Sequence, residues 1–198
     1  MTLPTDRGGS TAAIVVDVQN DFTEGGSLAV AGGAGVAAAI TGHLAGAGYA
    51  HVVATRDHHV DPGAHFAATP DYVSSWPVHC VVGTGGVELH PALDRSLLAA
   101  VFDKGEYQAA YSGFEGHGPD GVGLADWLRA AGVDTVEVMG IATDHCVAAT
   151  ALDAAAAGFA TTVRLDLTAG VAAATTEAAL DRMRAAGITL VGTPVVRA

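Results

Sequence analysis

"DTVEVMGIATDHCVAATALDAAAAGFATTVRLD" (residues 134–166) sets two short apolar runs on either side of an Ala- and Leu-rich stretch. The runs at 134–141 and 160–166 are rich in Val, Thr and Ile and are too short for helices, so they read as strands. The stretch between them, 144–157, is built from strong helix formers. It stops at Gly158, the residue type that most easily adopts the left-handed turn ending a helix. Strand, helix and strand in this order point to parallel strands with a helix packed on their sheet.

The same alternation extends in both directions. Further strands are expected at 12–18 (AAIVVDV), 50–56 (AHVVATR), 99–104 (AAVFDK) and 188–192 (ITLVG), with helices near 33–47, 123–131 and 174–186. "AGAGY", "RAAGV" and "RAAGI" supply glycine stops for those helices, as "AAAAGF" does for the first. The fold class is therefore α/β: a three-layer, doubly wound, mainly parallel six-stranded sheet with helices on both faces. One domain is expected over residues 1–198, with residues 1–10 a flexible N-terminal extension. Residues 57–98 contain few strand signals, several prolines and many small residues. A connection that long inside a compact domain is usually functional or disordered.

Composition narrows the function. No apolar run reaches the roughly 18 residues needed to cross a bilayer. "MTLPTDRGGST" has an early acid and no apolar segment of a secretory signal, so a cytoplasmic enzyme is expected. Two cysteines are too few for a disulfide framework, and a net charge of −12 with scattered Lys and Arg argues against nucleic acid and anionic membrane. The acidic surface marks no interface, which leaves monomer and homo-oligomer both open.

Ligands of open α/β sheets bind beyond the carboxyl ends of the strands. Asp17 closes the first strand, Asp57 follows the second, Lys104 closes the third and Cys146 lies just past the fourth. Each alone has a structural explanation as turn cap, solvated cation or small buried hydrophobe. An acid, a cation and a thiol on one sheet edge together make catalytic equipment. With Thr143 or Asp144 as N-cap, Cys146 falls in the first turn of a helix, where an anion is favoured. A thiol there or beside a lysine drops from about 8.5 to about 3.5–7.5 in pKa. His145 cannot partner it, because helix neighbours point about 100° apart. Asp17 is then the carboxylate available as proton acceptor, and Lys104 stabilises the charged forms. Cys80 has no helix start beneath it and is assigned to packing.

"DHHVDPGAHF" (57–66) places two acids and three of the chain's nine histidines in ten positions. Asp57 and His59 are two apart and share a face. With His65 and His79 they form one carboxylate and three imidazoles, a set suited to one divalent ion, Zn²⁺, Fe²⁺ or Mn²⁺. His58 points the opposite way and is placed behind the ligands. His43, His51, His90 and His117 are read as surface or capped residues.

"IVVDVQNDFTEGGSLAV", "VVATRDHHVDPGAHF", "SSWPVHCVVGTGG", "FDKGEYQAAYSGF" and "GIATDHCVAATALDA" occur in order between about residues 12 and 192. Together they resemble the nicotinamidase/pyrazinamidase branch of the isochorismatase-like cysteine hydrolases. The resemblance implies a catalytic set of Asp17, Lys104 and Cys146 and metal ligands Asp57, His59, His65 and His79. It further implies an oxyanion hole from the backbone amides of Ala142 and Cys146, a cis peptide between Ile141 and Ala142, and an aromatic pocket from Phe22, Trp76 and Tyr111. At position 58 relatives more often carry a bulky aromatic, where this chain has histidine. The implied substrate is a small aromatic amide: nicotinamide, hydrolysed to nicotinate and ammonia through a thioester, and with it pyrazinamide. Three other functions are compatible with parts of the pattern: a related cysteine hydrolase acting on another amide or a vinyl ether, a hydrolase using metal-bound water directly, and a non-catalytic metal-binding protein. The first would not need the 57–66 block, the second would not need Cys146, and the third would need neither Cys146 nor Lys104.

Overall fold

Runs of β-branched and small apolar residues bounded by glycine produce six strands in the computed structural model, which describes residues 10–196. They are β1 (Ser10–Val16), β2 (His51–Asp57), β3 (Ala100–Lys104), β4 (Val133–Ile141), β5 (Ala160–Ala169) and β6 (Thr189–Val191). The sheet order is β3-β2-β1-β4-β5-β6, and every pairing is parallel. The helices are α1 (Gly33–Ala47), α2 (Leu124–Ala130), α3 (Ala148–Ala156) and α4 (Ala173–Ala185). The expected extension at the N-terminus lies outside the described residues except for Ser10, which opens β1. Among the described residues no helix is long and apolar enough to cross a membrane.

Both faces of the sheet are covered, so side chains alternate between two cores. On β1, Ala12, Ile14 and Val16 join Leu124, Leu128, Ala151 and Met183 under α2, α3 and α4. Ala13 and Val15 point the other way, to Val36, Ile40 and Leu44 of α1. The layer on the α1 face is completed by the long connection, through Cys80, Val87, Leu89 and Leu93. That packing explains why residues 58–98 stay ordered with little regular structure of their own.

The order of strands fixes the site. The chain winds from β1 outward through β2 to β3, then returns to β4 beside β1 and winds the other way. The switch point is the β1/β4 boundary, where the carboxyl ends leave a crevice. Close approach is required there. Gly140 pairs with Val16, has φ +126°, and a Cβ on it would lie 2.1 Å from the Val16 carbonyl oxygen. Gly140→Ala is expected to destabilise the fold by about 2–4 kcal/mol, through backbone strain plus overpacking. The urea midpoint measures this, and an unchanged midpoint would contradict it.

Candidate active site

Asp17 follows β1 directly, with a left-handed backbone (φ 48°), a conformation that Asp tolerates better than most residues. Its carboxylate is fully buried. One oxygen accepts a 2.6 Å hydrogen bond from the Thr55 hydroxyl on β2, and the other lies 2.9 Å from Lys104 Nζ. Lys104, at the end of β3, reaches over the end of β2. Its ammonium also bonds Asp57, lies 3.3 Å from the Ala110 carbonyl and is 3.7 Å from Cys146 Sγ. The ends of four strands, β1 to β4, therefore deliver two carboxylates, an ammonium and a thiol to one point.

The segment carrying the thiol differs from expectation. Thr143–Val147 is a π-helical turn, and α3 begins only at Ala148. Neither expected residue caps it. The Thr143 hydroxyl donates to Thr168 on β5. The Asp144 carboxylate accepts from Val171 N–H (3.0 Å), Ala172 N–H (3.3 Å) and the Thr175 hydroxyl (2.5 Å), at the entrance to α4. These long-range partners tie the thiol's turn to the opposite wall of the cavity. The peptide between Ile141 and Ala142 is cis, and the Ala142 carbonyl accepts from the His145 and Val147 amides. His145 turns away from the thiol, with its ring edge-on to Trp76 at 5.1 Å.

The electrostatics also correct one expectation. Burial pushes the Cys146 thiol well above its ordinary pKa; Lys104 opposes the shift, but Asp17 and Asp57 reinforce it. The direction is opposite to the one that a helix start alone would favour, because desolvation and two carboxylates outweigh one ammonium. Burial raises Asp17 as well, partly offset by Lys104, which makes it a stronger proton acceptor. Burial also opposes charge on Asp57 and Lys104. Lys104 nevertheless holds Asp57 well below the usual carboxylate range, and Asp17 and Asp57 hold Lys104 well above the usual amine range. Alkylation of Cys146 by iodoacetamide in substrate-free protein is expected to rise about tenfold per pH unit from about pH 7 to about pH 9 without levelling. Peptide mass spectrometry follows the reaction; a plateau below about pH 8 would mean that the thiolate is already formed.

Beside this group, ligand-capable nitrogens of His59, His65 and His79 lie within 4.8 Å of one another, and all three residues are buried. His59 Nδ1 faces the Gly105 carbonyl at 2.6 Å and His79 Nδ1 faces the Pro77 carbonyl at 2.7 Å. Those contacts place the ring protons on Nδ1 and leave each Nε2 as a lone pair. Asp57 Oδ2 lies 3.6 Å from the first Nε2 and 3.7 Å from the second. Burial and the neighbouring His79 and His59 push His65 down to about 4. His59 Nε2 and His65 Nδ1 are buried without a hydrogen-bond partner. Lone pairs crowded against a carboxylate are unfavourable unless a cation lies between them, and the donor set fits a divalent ion.

His58 faces outward to Glu106 at 3.2 Å and Asp103 at 3.8 Å. His43 bonds Tyr49, His51 packs edge-on to Trp127, and His90 accepts from the Ala92 amide. Cys80 is buried among apolar residues. Thr55 is absent from the sequence-based set and Asp144 appears there only as a cap; a threonine on the buried face of a strand is the available signal for the first, whereas nothing local marks the partners of the second.

Thiol and imidazoles open into one cavity of about 460 Å³. Phe22, Trp76 and Tyr111 line it with Ala142 and His145. Trp76 Nε1 donates to the Tyr111 hydroxyl at 3.0 Å, and the Phe22 ring lies 5.4 Å from that of His79.

Comparison with known proteins agrees with this architecture. The Isochorismatase domain profile matches residues 11–194. The nicotinamidase/pyrazinamidase of Mycobacterium tuberculosis is 62% identical over 181 residues, 91% of this chain and 97% of that protein. An L. infantum protein solved in complex with nicotinate superposes with a TM-score of 0.82 at 34% identity, covering 95% of this chain and 96% of that one. The pyrazinamidase of Pyrococcus horikoshii, solved in complex with zinc, gives 0.79 at 36% identity over 92% and 98%.

Proposed function

This chain belongs to the isochorismatase-domain family, in its nicotinamidase/pyrazinamidase branch, and from that premise we propose how it hydrolyses nicotinamide to nicotinate and ammonia. It is a hydrolase of the nicotinamidase type, and pyrazinamide is the second substrate. One observation carries the mechanism: Cys146 Sγ lies 3.7 Å from Lys104 Nζ, which is 2.9 Å from Asp17, in the wall of the cavity that also holds the imidazoles.

Asp17 takes the thiol proton and Sγ attacks the carboxamide carbon. Amides of Ala142 and Cys146 receive the developing oxyanion, and Lys104 balances the charge as the proton moves. Asp17 then gives its proton to the leaving nitrogen, and ammonia departs from a thioester on Cys146. A water molecule enters, Asp17 accepts one of its protons and returns it to Sγ as attack on the thioester carbon releases nicotinic acid, whose carboxyl proton passes to the departing ammonia or to solvent as nicotinate forms. Phe22, Trp76 and Tyr111 hold the ring flat in the cavity and exclude bulk water.

Asp57, His59, His65 and His79 would hold a divalent ion, zinc, iron or manganese. When bound, the ion supplies a Lewis-acid site for the pyridine nitrogen. A free nucleophilic thiol suits a reducing compartment, which supports a cytoplasmic location.

Ammonia release from nicotinamide, measured before and after chelation, tests the proposal. Activity that falls on chelation and returns with added zinc, iron or manganese supports it; no ammonia under any condition would move the substrate elsewhere in the family.

A further inference from the structure

β1 leaves the sheet before its neighbour does. Its final ladder bond runs from the Asp17 amide to the Thr55 carbonyl at 3.1 Å, and the left-handed backbone at Asp17 then turns the chain away. β2 continues to Asp57. On its outer side β3 supplies pairing, with the His58 amide donating to the Lys104 carbonyl at 2.8 Å. On the β1 side, the main-chain N–H and C=O of Asp57 face a buried space from which β1 has departed. Unpaired, both groups would be strongly unfavourable there.

Gln19 occupies that space. Its Oε1 accepts from the Asp57 amide at 2.8 Å. Its Nε2 donates to the Asp57 carbonyl at 2.8 Å and to the Val87 carbonyl at 2.9 Å. The side chain is completely buried, and the three bonds fix which end of the amide is oxygen. One side-chain amide thus replaces the missing rung of β1, and β1 is free to aim the Asp17 carboxylate at Lys104. Asparagine is one methylene shorter, glutamate has no donor for the two carbonyls, and methionine has neither donor nor a good acceptor.

We infer that Gln19 is a positioning residue: by pairing both main-chain polar groups of Asp57, it holds the Asp57 carboxylate between Lys104 and the imidazoles. The inference rests on the reading of Asp57 as a metal ligand. One oxygen of Asp57 bonds Lys104 while the other lies 3.6 and 3.7 Å from two imidazole nitrogens. A shift of its main chain therefore moves both relationships at once, and groups that orient a ligand typically change metal affinity by about 10–100-fold.

The test is zinc affinity of metal-stripped protein, by competition with a chromophoric chelator, for wild type, Gln19→Met, Asp57→Asn and the double variant. Gln19→Met is expected to weaken zinc by about tenfold or more, but by less than about threefold when Asp57 is already asparagine. Circular dichroism establishes that each protein is folded. The same loss in both backgrounds, or none in either, overturns the assignment, because a residue acting through Asp57 cannot act independently of it. Failure to recover folded Gln19→Met also overturns it, making Gln19 a folding determinant. Absence of zinc binding by wild type instead removes the metal reading on which the inference stands.

Discussion

Cys146→Ala is expected to abolish ammonia release from nicotinamide while leaving the fold and zinc affinity of the chain unchanged. The side chain belongs to the core under α2, α3 and α4 but also borders the cavity and is 8% exposed, so the small gap left by removing sulfur opens onto the cavity. Its loss takes away the sulfur that the proposed mechanism uses for the acyl bond, and leaves the Asp17 carboxylate no thiol proton to accept. Loss of the nucleophile in such an arrangement lowers kcat by about 10⁴-fold or more. Near-wild-type turnover in the variant would assign the chemistry to metal-bound water, and a variant that also lost zinc would tie the thiol to the metal site rather than to acyl transfer. The assay is ammonia release at saturating nicotinamide, with zinc affinity measured on the same preparation.

Lys104→Met removes the cation between two buried carboxylates, and its effect appears first in stability. The ammonium is 2.9 Å from Asp17, bonds Asp57, and is itself 2% exposed. Breaking one side of a buried ion network leaves charge without compensation and costs about 3–5 kcal/mol. The sign of the pH dependence separates this from lost packing. In wild type the pKa of Lys104 is raised on folding, so its contribution is complete below the unfolded value and disappears only at strongly basic pH. In the variant, the folded carboxylates lose their counter-charge and their pKa values rise. They bind protons more tightly folded than unfolded, so lowering the pH from about 8 towards about 5 recovers part of the lost stability. Urea midpoints of metal-free protein across that range are expected to converge on wild type as pH falls. A constant difference would mean that only packing was lost. Catalysis falls as well, by about 10²–10³-fold, since the ion that balances the Asp17 proton transfer is gone.

Much of the fold is legible in the sequence because strands covered on both faces must be apolar throughout. The run at 134–141 and the strand Val133–Ile141 differ by one residue, and Gly48 stops α1 in the left-handed conformation that its sequence position suggests. Asp17, Asp57, Lys104 and Cys146 could be named because strand ends are identifiable and the order of a parallel sheet gathers them. What depends on distant partners was not readable. Asp144 resembles a cap for its own helix, yet its carboxylate serves residues near 171–175, which no local pattern identifies. The thiol at a helix start suggests a lowered pKa; burial beside two carboxylates reverses the direction, and burial is a property of the assembled core. Gln19 looks like an ordinary polar residue after a strand, and its importance comes from a gap in the sheet that exists only once β1 has turned away.

Partitioning of the acyl-enzyme tests the central claim of covalent catalysis most directly. Wild-type protein is supplied with nicotinamide or methyl nicotinate in the presence of increasing hydroxylamine, and nicotinate and nicotinohydroxamate are quantified. A thioester on Cys146 is the same species whichever group has left, so the hydroxamate-to-nicotinate ratio is expected to be identical for the two substrates and to rise with hydroxylamine. Nicotinate alone, or a ratio that depends on the leaving group, would contradict a common covalent intermediate and place the attack of water on the substrate itself.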